Sequence, residues 1–192
     1  MRHNHSLHGF GIRLRPVEIT DAAFILQIRT MPHVLGWVGD TKASLQDQER
    51  WLCSYFERAG DYYFIIEQGD GTKIGTIGLY DFHDHSAEWG RWILLPGALA
   101  AVQSALLIHR FAFEMLHLDS LRGTVVSTNT AVLSFHRRFG ARECGVQPKA
   151  RQINGQAVDL VNILLERDRW PDVVRRMVPL AEREGKSLMA HA

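Results

Sequence analysis

The sequence predicts an α/β (α+β) domain built on a mixed, mainly antiparallel central sheet flanked by helices. Aromatic and β-branched runs fill the middle of the chain with hairpin signals between them, and a long apolar helix separates two strand-like segments. With 192 residues and 46% hydrophobic content, the chain has the length of one domain. Lys and Arg number 22 against 21 Asp and Glu, a formal net charge of +1, which offers no field for nucleic acid or an anionic membrane. Cys53 and Cys144 have no metal-ligand spacing around them, so neither a disulfide framework nor a zinc ribbon is expected. No metal is expected. The N-terminus lacks an apolar signal core and no stretch approaches membrane-span length, so the sequence reads as soluble and cytoplasmic.

The elements follow in order. Residues 1–10, with His3, His5 and His8, read as a flexible terminus outside the fold. Ile12 to Val17 alternates apolar and polar residues, as a half-buried strand does. Thr20 is expected to cap a helix that carries Phe24, Ile25, Ile28 and Met31 and stops at Pro32. Ser44 to Asp47 resembles a capping box that opens a second helix, running to a stop at Gly60. Tyr62 to Glu67, Lys73 to Phe82 and Ala87 to Leu95 form a three-stranded meander, turned first at Gly69-Asp70-Gly71 and then through Asp81 to Ser86. Leu99 to His117 is a long helix with Leu99, Val102, Leu106, Ala112, Phe113 and Leu116 on its buried stripe. Leu121 to Val126 reads as a strand buried on both faces, and the strand, helix, strand order implies a parallel crossover. Asn129 starts a helix ended by Gly140, a hairpin turns at Asn154-Gly155, and residues 171–192 form a C-terminal helix and tail interrupted at Pro179.

Two stretches carry a family resemblance. Phe111 to Arg122, followed by Asn129 and Phe135-His136-Arg137-Arg138-Phe139-Gly140-Ala141, resembles the GNAT superfamily of N-acetyltransferases, and the element order agrees over about residues 12–170. Ala87 to Ile93 and the segment from Asp159 to Trp170 resemble the branch that holds ribosomal-protein and amino-sugar acetyltransferases. The resemblance implies acetyl-CoA as cosubstrate and a splay between the Ala87–Leu95 and Leu121–Val126 strands. It also implies a coenzyme-binding loop ahead of the central helix, whose backbone N–H groups take the pyrophosphate. The matching residues are Pro96, Gly97, Ala98, Leu99, Ala100 and Ala101, where a Pro replaces the family's Arg or Gln and Leu99 replaces a Gly. Either the loop still binds coenzyme with Leu99 at negative φ, or binding has been lost and the fold serves as a binding protein.

The same resemblance distributes roles over the rest of the site. Glu88, on the strand that lines the cleft, is the candidate base for the acceptor ammonium, whose pKa is near ~10; its alternative is an exposed strand residue paired with a cation. His136 occupies the position of the family's Tyr and is a candidate acid for the departing thiolate if protonated, or a neutral structural imidazole if not. Tyr80 is a second candidate acid, or a packing residue. Backbone N–H groups near Ile93 and Leu95, with Leu94 beside them, are expected to hold the thioester oxygen. Asn129, Phe135 and Arg138 are assigned to the coenzyme, with an N-cap and a solvent-exposed cation as the alternatives for Asn129 and Arg138. Trp37 and Trp89 are expected to stack on the acceptor, and His83, in the His83-Asp84-His85 loop, to contact it. The expected acceptor is a small primary amine such as a nucleotide-linked amino sugar, with a protein N-terminus as alternative, another acyl donor in place of acetyl, and a homodimer as an open option. The resemblance places the acceptor side in residues 36–51, 62–66 and 87–90.

Overall fold

A computed structural model of the protein describes residues 3–38 and 44–190, with side chains as far as Gly185. Residues 39–43 of the expected acceptor stretch, and the outermost residues of both terminal segments, lie outside the described residues. The chain runs β1 (Leu7–Gly9), β2 (Ile12–Pro16), α1 (Ala22–Arg29), α2 (Pro32–Leu35), α3 (Leu45–Phe56), β3 (Tyr62–Gln68), β4 (Lys73–His83), β5 (Ser86–Leu94), α4 (Ala101–Arg110), β6 (Ser120–Val126), α5 (Thr130–Phe139), β7 (Arg142–Ile153), β8 (Gln156–Glu166) and α6 (Trp170–Ala190). The strands form one sheet in the order β1-β2-β3-β4-β5-β6-β8-β7, with β5 and β6 the parallel pair. Helices cover both faces. On one face α4 and α6 close over Leu14, Phe64, Ile66, Ile77, Leu79 and Phe111; on the other α1 and α3 pack Ile25, Leu52 and Tyr55 against Tyr63 and Ile65.

Several expectations need correction. Residues 1–10 are not all outside the fold, because Leu7–Gly9 pairs antiparallel with Ile12–Leu14 and Leu7 is buried. Thr20 caps nothing, since it lies in a 3-10 turn, Ile19–Asp21, that precedes α1. Asp21 accepts the Glu18 N–H at 2.8 Å and forms ion pairs with Arg15 and Lys73, both at 2.7 Å. Pro32 opens α2 instead of stopping α1, at a first-turn position that needs no N–H donor. The second helix ends at Phe56, ahead of Gly60. α4 starts two residues later than expected and widens into a π turn, Phe111–Met115, closed by Leu116 N–H to Phe111 O at 3.0 Å; Leu99 therefore lies outside the helix, 55% exposed. β6 alternates buried with half-buried residues instead of burying both faces. Pro179 is absorbed within α6 without ending it.

The meander, the crossover and the hairpin at Asn154-Gly155 are as expected, with β7 and β8 reaching to within one residue of that turn. β7 is exposed from Arg142 to Ala150, and its register against β8 shifts twice, between Glu143 and Gly145 and between Gln147 and Arg151.

Candidate active site

The sheet opens where the parallel pair parts. β5 and β6 pair only over Ser86–Glu88 and Ser120–Arg122, after which the strands diverge into a cleft of about 250 Å³. This is the expected splay. The cleft lining includes Arg29, Trp37, Val38 and Tyr80, residues 88–93 of β5 and 123–126 of β6, Asn129, and Val132 and His136 of α5.

A bulge shapes the β5 wall. Thr76 is paired with Ile93 and Gly78 with Gly90, so Arg91 and Trp92 together oppose Ile77, and Arg91 adopts φ 50°. Thr76 Oγ1 anchors the bulge by donating to Arg91 O at 2.7 Å. The Arg91 guanidinium is bidentate to Asp61, at 2.5 and 2.9 Å, and lies over the Tyr80 ring at 4.2 Å. Burial opposes its charge, yet Asp61 holds its pKa above the ordinary arginine range.

Tyr80 and Glu88 are register partners on neighbouring strands, and the Tyr80 hydroxyl donates to Glu88 Oε1 at 3.1 Å. Burial and then the Glu88 charge push the Tyr80 hydroxyl well above the usual tyrosine range. Tyr80 is thus a hydrogen-bond donor to the carboxylate and a poor acid for a thiolate. A Cβ at Gly90 would meet the Tyr80 hydroxyl, so glycine there leaves room for the pair.

Behind this pair the ring of Trp89 is packed edge-on against His109, at 4.8 Å between centroids, and against His136, at 5.0 Å. Burial pushes the His136 imidazole down to about 4, so at neutral pH it is an uncharged N–H donor or acceptor and not the protonated acid. Trp89 is only 5% exposed, so its expected stacking role gives way to a place in the core. Trp37 also lines the cleft and is 39% exposed. His83 lies outside the cleft, beside a two-residue turn in which Asp84 and His85 both have positive φ.

The expected oxyanion donors also change. Leu95 N–H donates to Ile74 O at 2.8 Å, and ladder alternation turns Ile93 N–H towards its partner Thr76. The same alternation sends Leu94 N–H to the unpaired edge, into the splay. Ile93 contributes its side chain to the cleft, beside Ile28 and Val34.

The loop from Pro96 to Ala101 leads from that edge to α4. Ala98 N–H closes a turn on Leu95 O at 3.1 Å, with Gly97 at φ 81°. Leu99 is not among the residues with positive φ, so its side chain brings no backbone strain. Ala100, the N-cap, makes no side-chain cap, which leaves the first N–H groups of α4 open to a ligand. Trp92 Nε1 donates to Ser104 Oγ at 3.1 Å and so ties the β5 bulge to this helix start. The residues present therefore fit a pyrophosphate.

Asn129 lines the cleft and also accepts Val132 N–H as N-cap, at 3.3 Å. Phe135 packs on Trp92 and Phe139 outside the cleft, and Arg138 is solvent-exposed, its carbonyl accepting from Arg176. Among the described residues no group of three or more His, Cys, Asp or Glu could hold a metal ion. Sequence reasoning missed Arg29, Arg91 and Arg151. Of these only Arg91, a cation within the apolar run of β5, carries a local signal.

The family model for the acetyltransferase (GNAT) domain matches residues 12–142. No curated protein matches the chain. Among solved structures, FdhC, described as a nucleotide-linked sugar GNAT, has a TM-score of 0.76 at 28% identity, over 94% of this chain and 98% of that one. A spermidine N-acetyltransferase from Vibrio cholerae, in complex with CoA and spermine, has a TM-score of 0.78 at 19% identity, covering 85% and 99%. A GCN5-related N-acetyltransferase from Brucella melitensis has 0.81 at 17%, covering 93% and 86%. The last two show a shared fold alone.

Proposed function

The chain belongs to the GNAT acetyltransferase family, and from that premise we propose that it transfers an acetyl group from acetyl-CoA to the primary amine of a nucleotide-linked amino sugar. The observation that carries the reading is the position of Glu88 where the sheet parts, with Tyr80 holding one carboxylate oxygen and Asn129 and His136 across the gap. The similarity to the nucleotide-linked sugar GNAT supports the acceptor class.

Glu88 accepts a proton from the acceptor ammonium, directly or through one water, and Tyr80 orients the carboxylate for it. The freed nitrogen lone pair attacks the thioester carbonyl; the C–N bond forms, the nitrogen releases its second proton to solvent, the C–S bond breaks and the sulfur leaves with its electron pair. Leu94 N–H, on the open edge of β5, faces the carbonyl oxygen, a contact worth roughly 3 kcal/mol in other acyl transfers. The thiolate, conjugate base of a thiol with pKa near ~8.5, is protonated by solvent, and neutral His136 offers it a hydrogen bond. The loop from Gly97 to Ala101 and the start of α4 hold the pyrophosphate.

Thermal shift with acetyl-CoA and thiol release with an amine panel test the proposal. Acetyl-CoA at a hundred times its Kd should add about 2.7 kcal/mol of stability. No shift at millimolar acetyl-CoA, or acetylation of peptides alone, would refute it.

A further inference from the structure

Resting on the acetyl-transfer reading above, we propose that Arg151 reads a phosphate group on the acceptor, so that the cleft selects anionic amines and rejects polycations. The lining of the cleft carries the guanidiniums of Arg29, Arg91 and Arg151 against a single carboxylate, Glu88, among the described residues. Arg91 is answered by Asp61. Arg151 is not: it reaches Thr124 Oγ1 at 3.4 Å and makes no ion pair among the described residues.

Arg151 is close enough for its charge to act on the Tyr80 hydroxyl. It is a half-buried cation without an ion pair among the described residues, and an anionic acceptor would supply one. The planar fork of a guanidinium matches phosphate oxygens in a way that an ammonium does not. Trp37, in the same lining and 39% exposed, offers an aromatic side chain to a sugar or base. A polyamine would bring further positive charge to this wall, so its distal amines gain nothing here.

The test is thiol release from acetyl-CoA with galactosamine, galactosamine 1-phosphate, a uridine-diphosphate-linked amino sugar and spermidine. At least one phosphate-bearing sugar should show kcat/KM about ten-fold or more above galactosamine, with spermidine the poorest acceptor. The two phosphorylated sugars separate recognition of a sugar phosphate from recognition of the nucleotide diphosphate. In Arg151→Gln the ratio of phosphorylated to free sugar should fall by about ten-fold, with Arg151→Lys in between. Equal kcat/KM for free and phosphorylated sugars, or a preference for spermidine, overturns the proposal. If Arg151→Gln does not fold, salt dependence in the wild-type protein decides, because added salt should raise KM for the phosphorylated acceptor selectively. If no amine releases thiol, the acetyl-transfer reading fails and calorimetry with uridine diphosphate, at saturating coenzyme A, becomes the test. Binding that Arg151→Gln weakens keeps the phosphate site; absent or unaltered binding removes it.

Discussion

Tyr80 and Glu88 face each other from neighbouring antiparallel strands, and the phenol donates to one carboxylate oxygen at 3.1 Å. The contact fixes the rotamer of a carboxylate that stands where the sheet opens. It leaves the other oxygen for a proton from the cleft.

Glu88→Gln keeps the side-chain volume and the hydrogen bond to Tyr80 but removes the base. Turnover at neutral pH should fall by about 100-fold or more, with KM for acetyl-CoA changed far less. Steady-state kinetics with saturating acceptor checks this, and unchanged turnover would remove Glu88 from the mechanism.

Gly90→Ala places a methyl group against the Tyr80 hydroxyl. It should lower kcat by about ten-fold, the scale of one hydrogen bond to a charged group. Tyr80→Phe takes away the same contact, so the double variant should be little worse than either single one. Fully additive losses would show that the two residues act separately.

His109 and His136 are held neutral by burial, at about 3 and about 4. The unfolded chain takes up protons on both below about 6.5, while the folded one does not until far lower, so stability is complete above that pH and declines as pH falls. The expected slope is roughly 1.4 kcal/mol per pH unit for each histidine between about pH 6 and 4. Urea unfolding at pH 7 and 5 measures it, and His109→Phe should be less acid-sensitive than wild type. Equal pH sensitivity of the two proteins would mean that His109 is not a buried neutral group.

Asp21 is fully buried and bound by Arg15, Lys73 and the Glu18 N–H. Burial favours its neutral form, but these partners together keep its pKa below the usual carboxylate value. Asp21→Ala removes the carboxylate and leaves Arg15 only partly answered by Glu67, so it should cost about 3–5 kcal/mol in chemical denaturation. A loss below 1 kcal/mol would place the cluster with weak surface pairs.

Much of the fold was legible because its signals are local. Asn154-Gly155 turns a hairpin, Asn129 and Gly140 bound α5, and alternation marks β2, all within a few residues. The failures arise where distant chain segments decide. Leu7–Gly9 becomes a strand because β2 offers it an open edge, not because its own residues demand it. The widened turn at Phe111 lets both Phe111 and Phe113 enter the core, which no helical period foretells. In the cleft, Glu88, Asn129 and Ile93 could be placed because they match a motif. Arg29 and Arg151 come from α1 and β7, far apart in sequence, and meet only once the chain has folded.

The outer strands of the sheet have a consequence for colloidal behaviour. At one margin β1 is three residues long; at the other, β7 carries Pro148, which has no N–H, and Lys149 at φ 50°, both within the second of its two breaks in register. Neither margin presents the straight run of unused donors and acceptors that recruits a neighbouring molecule into a growing ribbon. A concentrated solution of this protein is therefore guarded against fibril-like stacking at both rims, and self-association is directed to side-chain surfaces instead of backbone.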